Sequence, residues 1–372
     1  MRLPTRLLGL VAAAAAVVAG APAATAAQAT GPATAREAPA GATAAVDAVT
    51  VFETGGVTAG ALAVAADGRV FYGGPGDGGL RVWTPGTGAS TLFASVPRGT
   101  KITGVTLHPR FPATPWVYVA AAVRTATGER TRLFRFTDQG GTGGATRMLR
   151  DIAPVGTDHL GGKLTFTPDG RFLELVVGDG GDPANAQDRT SLNGKLLRLT
   201  PTGANAPGNP FGTAVWAYGI RNSIGLAHDP VTGRLWETEN GPDCGEEINL
   251  LRAGGNYAWG PRATCEPLRA ASTNRDGGAG RVLPVRWYAQ RFAPTGIAFC
   301  DGCGLPGSEN ALLYARYLTG QVQRVVLNPA RTGVASESTL YTADQRVLAL
   351  ERHPGTGEIW FSDATRVRRL VG

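Results

Sequence analysis

Lysine is scarce in this chain of 372 residues, and no block of positive charge occurs in it, although the formal net charge is +7. The lysines are Lys101, Lys163 and Lys195, and the other Lys/Arg positions are all arginine. The arginines are scattered and are not interleaved with aromatic residues, a distribution that argues against a nucleic-acid-binding surface. We therefore expect no nucleic-acid partner.

Long apolar runs are absent after the N-terminus, and even the N-terminal run, residues 7–19, is shorter than a membrane span requires. Arg2 and Arg6 precede this run and small residues follow it, which is typical of a secretory signal peptide. We predict a signal peptide over residues 1–27 and a disordered Ala/Pro/Thr-rich leader over 28–45. The chain is then secreted, has no membrane span, and folds over residues 46–372.

Cysteine is limited to four positions: Cys244, Cys265, Cys300 and Cys303. An even number in an exported chain favours two disulfides, and we predict the local pairs Cys244–Cys265 and Cys300–Cys303. A metal site is the alternative, but the CDGC segment has no second cysteine pair at zinc-ribbon spacing. A redox CxxC is disfavoured because the motif lies in a glycine-rich turn outside any βαβ context.

Long helical periodicity is also missing, whereas glycine (53 residues) and proline (25 residues) are abundant. Short apolar runs alternate with turn signals, which indicates an all-β protein. A strand–turn–strand unit recurs six times, starting at Gly60, Gly104, Gly162, Gly225, Gly296 and Leu348. Six such units predict a six-bladed β-propeller, with a pair of β-sandwiches as the alternative. The segment from Ala48 is expected to complete the last blade and close the ring, which protects the sheet edges.

The histidines fall into two groups relative to this repeat. His108, His228 and His353 precede the turn proline of a repeat by one or two residues, and we predict that they cap the hairpins. His159 instead precedes the first strand of its unit, where a propeller loop faces the mouth of the central channel. A histidine there is suited to act as a general base. We expect the adjacent Asp158 to orient the imidazole or to bind a substrate hydroxyl.

Several long motifs resemble those of the glucose/sorbosone dehydrogenase family, the soluble quinoprotein aldose dehydrogenases. They are DHLGGKLTFTPDG, VVGDGGDPANAQDRTSLNGKLLRL, YGIRNSIGLAHDPVTGRLWETENGP and GEEINLLRAGGNYAWG. The resemblance is densest over residues 158–260 and extends more loosely over 46–372. It implies a six-bladed propeller that binds pyrroloquinoline quinone (PQQ) and calcium over the channel mouth.

The resemblance also implies roles for individual residues. His159, assisted by Asp158, would take the proton from the anomeric hydroxyl of an aldose while a hydride passes to the quinone. Arg221, Asn222 and Arg346 would contact the cofactor, and the carbonyls of Gly241 and Pro242 would hold one calcium ion. Glu247 and Tyr257 match a second, structural calcium site. The loop GDGGDP (residues 178–183) looks like an ion-binding or phosphate-binding loop, but the resemblance makes it a connection, and we assign it no ligand.

The chain departs from the family pattern at three cofactor-binding positions. Leu318 stands where the family usually has a lysine, with Arg316 nearby as a partial substitute. Leu348 replaces the second arginine of a pair whose first member is Arg346. A glutamine of the first blades has no counterpart, and we expect Lys101 to enter the site there.

Two functions follow from these observations. The first is an exported, PQQ- and calcium-dependent dehydrogenase acting on aldoses, with an unknown electron acceptor. The second, which the altered cofactor positions favour, is a non-catalytic propeller of the same family that binds carbohydrate or a protein partner. A calcium-dependent lactonase on a similar propeller would need several carboxylate or amide ligands around one channel metal, and the sequence does not supply such a set.

Overall fold

A computed structural model describes residues 45–152, 156, 158–268, 276 and 280–372. The predicted signal peptide and nearly all of the predicted leader lie outside the described residues. Those residues form six four-stranded antiparallel sheets. The prediction of an all-β, six-bladed propeller is thereby confirmed.

Each blade except the last consists of four strands that are consecutive in the chain. The first strand, β1 (Asp47–Glu53), belongs to the last blade. Blade 1 contains β2 (Ala61–Val64), β3 (Val70–Gly73), β4 (Gly79–Thr84) and β5 (Ala89–Ser95). Blade 2 contains β6 (Gly99–Leu107), β7 (Trp116–Thr125), β8 (Gly128–Asp138) and β9 (Gly143–Asp151). Blade 3 contains β10 (Leu164–Phe166), β11 (Leu173–Val177), β12 (Lys195–Leu199) and β13 (Val215–Tyr218).

The second half of the ring repeats this arrangement. Blade 4 contains β14 (Ser223–His228), β15 (Leu235–Glu239), β16 (Glu246–Leu251) and β17 (Arg286–Tyr288). Blade 5 contains β18 (Pro294–Phe299), β19 (Leu312–Arg316), β20 (Gln321–Leu327) and β21 (Val334–Thr342). Blade 6 contains β22 (Ala349–Arg352), β23 (Ile359–Ser362) and β24 (Arg366–Val371), and it is completed by β1.

The strand β1 closes the ring as the sequence predicts. It pairs antiparallel with β24, from Asp47 opposite Val371 to Glu53 opposite Arg366. The first and last strands of the folded region therefore lie in one sheet. This pairing removes the free edge that an open ring would leave between its first and last blades.

The hydrophobic core lies between neighbouring blades. Among the described residues, each of the six blade interfaces has its own cluster of buried apolar side chains. Between blades 1 and 2, for example, Phe71 packs edge to face against Phe93 and Phe111. The first strand of each blade contacts the first strands of its two neighbours, so these strands surround the central axis.

Two disulfides and one short helix complete the described part of the fold. The structure contains the two predicted disulfides, Cys244–Cys265 and Cys300–Cys303. Among the described residues the one α-helix is α1 (Pro183–Gln187), whose N-terminus is capped by the Asp182 side chain. No helix in this part of the chain is long and apolar enough to cross a membrane.

Candidate active site

A cavity of about 500 Å³ opens at the end of the axis where the first strands begin. All six blades contribute to its wall. The lining side chains and backbone come from Thr58, Gly60, Pro75, Lys101, Ile102, Thr103, Asp158, His159, Leu160, Gly161, Asn222, Ile224, Tyr317 and Leu348. A cavity of this size on the axis of a propeller is suited to bind a small molecule.

His159 is held in this cavity by a buried carboxylate. Its Nδ1 lies 2.7 Å from Oδ1 of Asp179, a side chain that is only 1% exposed. The same carboxylate accepts hydrogen bonds from the Gly181 amide at 2.8 Å and from Nε1 of Trp259 at 2.7 Å. Because an ionised carboxylate only accepts, this contact favours the neutral tautomer that has its proton on Nδ1 and a lone pair on Nε2.

Glycine residues allow the two loops of this pair to touch. His159 itself has a positive φ of 51°, a conformation that few non-glycine residues adopt. A Cβ atom on Gly178 would lie 2.0 Å from the His159 carbonyl oxygen. The Gly180 amide donates to that same oxygen at 3.2 Å. The glycine-rich segment after β11 is therefore needed for the close approach that brings Asp179 to the imidazole.

The prediction that Asp158 orients the imidazole is wrong, because Asp179 has that position. Asp158 is exposed and lines the cavity, so its predicted contact with a substrate hydroxyl stays a prediction. Sequence reasoning assigned no role to the loop GDGGDP, which contains Asp179. The available signal was a single acidic residue between glycines directly after the fully buried strand β11.

Arg221 and Asn222 lie at the start of blade 4 but face different surroundings. Asn222 lines the cavity, whereas Arg221 donates from Nη1 to the carbonyl oxygens of Asn240 at 2.7 Å and Gly241 at 2.8 Å. The Glu239 carboxylate accepts from the amides of both residues, at 2.8 and 2.7 Å, and fixes their backbone. The Arg221 guanidinium also stacks 5.3 Å from the Trp259 ring, which joins it to the His159–Asp179 pair. Burial lowers the pKa of Arg221, and nearby carboxylates oppose this shift.

The predicted calcium-binding turn at Gly241–Pro242 is anchored by a buried acid. Glu246 accepts a hydrogen bond from the Gly241 amide at 2.9 Å, and its other oxygen accepts from the amides of Phe292 and Ala293. Burial raises the pKa of Glu246. The carbonyl of Gly241 accepts one hydrogen bond from Arg221, which leaves its second lone pair available to a cation.

Glu247 and Tyr257, the predicted second calcium site, are both buried beside further acids of blade 4. Glu237 is 0% exposed, and neither of its carboxylate oxygens has a hydrogen-bond partner among the described residues. Asn249 donates to Glu247 at 3.2 Å, while its own buried Oδ1 has no hydrogen-bond partner in the part of the chain that the structure describes. The Tyr257 hydroxyl bonds to the backbone of blade 4 instead, donating to Leu250 O and accepting from the Arg252 amide.

These unsatisfied oxygens are of the type that calcium prefers. Burial raises the pKa of Glu237, and burial together with the charge of Glu237 raises that of Glu239. However, no group of three or more His, Cys, Asp or Glu side chains within the described ranges has the arrangement of a preformed metal site. The acids of blade 4 therefore have suitable donors for a cation without a finished coordination shell.

The altered cofactor positions are visible in the structure. Leu318 is 45% exposed, and Leu348 is part of the cavity wall. Arg346 does not line the cavity; its guanidinium stacks on Tyr317, which does, and donates to the tyrosine hydroxyl at 3.1 Å. The expectation that Arg316 substitutes for the missing lysine is wrong, because Arg316 is paired with Glu337 at 2.8 Å and lines a separate cleft. Lys101, by contrast, lines the cavity as expected.

The six-bladed propeller has a histidine–carboxylate pair in its axial cavity. These features place the protein among the propellers that bind or act on small molecules. Residues 59–371 match the sequence profile of the glucose/sorbosone dehydrogenase family. The chain belongs to this family.

Individual relatives agree with this assignment. The chain is 34% identical over 176 residues to the aldose sugar dehydrogenase YliI of Escherichia coli, an alignment that covers 44% of this chain and 47% of that protein. The chain thus matches about half the length of this relative. A solved structure of an oxidoreductase from Thermus thermophilus, described as a glucose dehydrogenase, is similar with a TM-score of 0.75 and 30% identity, over 88% of this chain and 100% of that one. The PQQ-bound aldose sugar dehydrogenase of Streptomyces coelicolor is similar with a TM-score of 0.72 and 27% identity, over 88% and 98%.

Proposed function

We propose that this protein is an exported, PQQ- and calcium-dependent aldose sugar dehydrogenase. The observation that carries the proposal is the His159–Asp179 pair in the axial cavity, in which Nε2 of His159 has no hydrogen-bond partner among the described residues and is available as a base. Membership of the glucose/sorbosone dehydrogenase family supports the oxidoreductase class. The substrate is a small aldose, and the electron acceptor is left open.

The cavity has properties that fit PQQ, a planar quinone with three carboxylates. Its volume of about 500 Å³ is within the range of cofactor sites. Its wall offers the cation of Lys101 and the amide of Asn222, which are suitable partners for carboxylate and quinone oxygens. When bound, PQQ supplies a two-electron acceptor for the hydride that leaves the C1 carbon of the sugar.

The chain's own contribution to the reaction is the removal of a proton. Nε2 of His159 accepts the proton of the C1 hydroxyl, and the negative charge of Asp179 stabilises the imidazolium that forms. The hydrogen bond to Asp179 also holds the ring in one tautomer and one orientation. Asp158, on the exposed rim of the cavity, is placed to accept a hydrogen bond from another sugar hydroxyl.

Calcium would be held at two places. The carbonyls of Gly241 and Pro242 would bind one ion, and the Gly241 oxygen has a second lone pair for this beside its hydrogen bond from Arg221. Glu247, with the unsatisfied oxygens of Glu237 and Asn249, would bind the second ion within blade 4. A cation there would neutralise the buried carboxylate of Glu237, whose oxygens have no hydrogen-bond partner among the described residues, and so offset part of its desolvation cost.

Reconstitution of the purified chain with PQQ and calcium tests this proposal. We expect calorimetry to show PQQ binding, and aldoses to reduce the bound quinone to its spectroscopically distinct reduced form. The variant His159→Ala should bind PQQ but lose about 10²- to 10⁴-fold in the rate of quinone reduction, which is the usual contribution of a general base. His353→Ala, at the opposite end of the propeller, is the matched control. Failure of every aldose to reduce bound quinone in the wild-type protein would refute a dehydrogenase.

A non-catalytic propeller that binds carbohydrate or a protein partner is the second candidate. The replacement of charged cofactor-binding residues by Leu318 and Leu348 favours it. Sugar binding by calorimetry without any PQQ binding would be its signature.

Export is part of the main proposal and is supported by the two disulfides, a feature of proteins that fold outside the reducing cytosol. The N-terminal sequence of protein collected from a culture medium or periplasm would test the predicted cleavage near residue 27.

A further inference from the structure

Two of the three lysines have their side-chain amines occupied by partners inside the protein. Lys195 is fully buried, and its Nζ donates to the carbonyls of Asn185 at 2.6 Å, Asn193 at 2.6 Å and Ala186 at 3.3 Å. Nζ of Lys163 forms an ion pair with Glu351. These lysines therefore stabilise the fold and are not free to bind a ligand.

Lys101 differs from both. It lines the axial cavity, is half-buried, and forms no ion pair or side-chain hydrogen bond with any residue that the structure describes. An ammonium at the cavity wall that has no anionic partner in the described part of the chain is available to pair with the carboxylate of a ligand. In a chain with so few lysines, this one is placed where a ligand would meet it.

The backbone at Lys101 is fixed. Residues on either side bond to the loop that follows β3: the Ile102 amide donates to Gly74 O at 2.9 Å, and the Gly76 amide donates to Thr100 O at 3.0 Å. Lys101 also forms a β-bridge with Pro75, which is itself part of the cavity wall. The backbone of Lys101 is therefore already ordered at the cavity wall, so ligand binding does not have to order it.

The opposite wall of the cavity has lost the charges that the family pattern places there. Leu348 lines it, Leu318 directly follows the lining residue Tyr317 in the sequence, and both leucines are uncharged. Arg346 reaches this wall only through the Tyr317 hydroxyl. Lys101 is thus the one lysine or arginine among the residues lining this cavity in the described part of the chain.

We propose that Lys101 on blade 2 is the principal carboxylate-binding residue of the cavity, and that it takes over the anion-binding role missing from positions 318 and 348. The inference rests on the proposed function in so far as PQQ is the acidic ligand. It predicts that affinity for an aromatic polycarboxylate depends on Lys101 and declines with salt, since the contact is between charges.

The test is titration of the full mature chain with PQQ in the presence of calcium, for the wild-type protein and for Lys101→Gln. We expect Lys101→Gln to weaken PQQ binding by about tenfold or more, the usual effect of losing one charge-assisted hydrogen bond, and to reduce the salt dependence of the dissociation constant. Arg171→Gln is the control, because it removes the same charge from a side chain that is 70% exposed. Thermal melting of the cofactor-free proteins should be the same for all three.

The outcomes separate this inference from the proposed function. Equal PQQ affinity in the wild-type protein and Lys101→Gln overturns the role of Lys101 and leaves the dehydrogenase standing. If the wild-type protein binds no PQQ, the proposed cofactor is wrong, and benzene-1,3,5-tricarboxylate becomes the probe. Binding of that probe by the wild-type protein but not by Lys101→Gln supports the anion site, whereas no binding by either overturns it.

Discussion

The two ends of the central strands use histidine in different ways. At the hairpin end, Nδ1 of His108 accepts from the Arg110 amide at 3.1 Å, and Nδ1 of His353 accepts from the amides of Gly355 and Thr356. His228 contacts the carbonyl of Gly233 through Nδ1 within the same kind of hairpin, and its Nε2 lies 2.7 Å from the buried Glu174 carboxylate, so both of its ring nitrogens are engaged. At the cavity end, His159 contacts a carboxylate and presents its second nitrogen to the cavity.

The histidines at the hairpin end stabilise the fold, whereas the histidine at the cavity end is available for chemistry. Burial lowers the pKa of His108 and of His353, which keeps their imidazoles neutral and able to accept from backbone N–H groups. In both residues Nδ1 is occupied by the backbone amides of the turn that the ring caps. His159 is 22% exposed at its side chain, has a charged partner on one nitrogen, and keeps the other nitrogen available. The same residue type thus becomes a structural cap or a candidate base according to the end of the blade at which it lies and whether its ring lines the axial cavity.

Among the substitutions that test this comparison, we expect Asp179→Asn to have the largest effect. The amide cannot stabilise an imidazolium as a carboxylate does, and it can place an N–H group against the histidine, which favours the wrong tautomer. We expect quinone reduction by sugar to slow by about 10²- to 10⁴-fold, with PQQ affinity changed much less. Stopped-flow absorbance of the reconstituted protein measures the rate.

The matched control is Asp158→Asn, which leaves the Asp179 carboxylate in place. We expect this variant to change KM more than kcat, because Asp158 lies on the cavity rim. An Asp179→Asn variant with wild-type kcat would show that the His159–Asp179 contact only stabilises the loop.

At the hairpin end, the substitution expected to lower the free energy of unfolding most is one that breaks a buried ion pair. Asp229 is 0% exposed at its side chain and accepts from Nε and Nη2 of Arg331 at 2.7 and 2.6 Å, which joins blade 4 to blade 5. Burial alone would raise the pKa of Asp229, but hydrogen bonds from Arg331 and Thr232 outweigh it and hold the pKa below 3.8. Asp229→Ala leaves Arg331 without this partner and should cost about 3 kcal/mol in the free energy of unfolding.

The pH dependence follows from the direction of the shift. Because the folded pKa is lowered, the stabilisation by Asp229 is complete above the unfolded pKa and is lost as the pH falls through the folded pKa. Urea unfolding of the wild-type protein and Asp229→Ala should therefore differ most at neutral pH and converge in strong acid. Asp301→Ala, which breaks a more exposed pair with Arg352, should cost less than about 1 kcal/mol. A pH-independent difference for Asp229→Ala would contradict the argument.

The propeller was predictable because its signals are local and repeated. Each of the six repeats begins beside the first strand of a blade, and the segment from Ala48 closes the ring as β1. Alternation, turn residues and repetition all point to one fold, and the cysteine pairs are close in sequence. These features can be predicted without knowing which loops meet across the axis.

The site was less predictable because its contacts are not local. Position 159 was identified, but its carboxylate partner lies 20 residues later in the chain, beyond an intervening hairpin. Proximity in sequence favoured Asp158, whereas the close approach permitted by Gly178 selects Asp179. Likewise, Arg316 is near the missing lysine in sequence, yet its side chain is taken by Glu337 in another cleft.

A smaller effect than that of Asp229→Ala is expected when a hairpin histidine is tested directly. His353→Ala removes the acceptor for two turn amides and should lower the free energy of unfolding by about 1–2 kcal/mol while kcat and PQQ affinity stay at wild-type values. His353→Asn keeps a side-chain acceptor near the turn and should recover part of the loss. Urea unfolding and sugar oxidation, measured on the same preparations, test whether stability falls while kcat is unchanged. A fall in kcat without a fall in stability would mean that the hairpin end acts on the cavity, and the separation of the two ends would then be wrong.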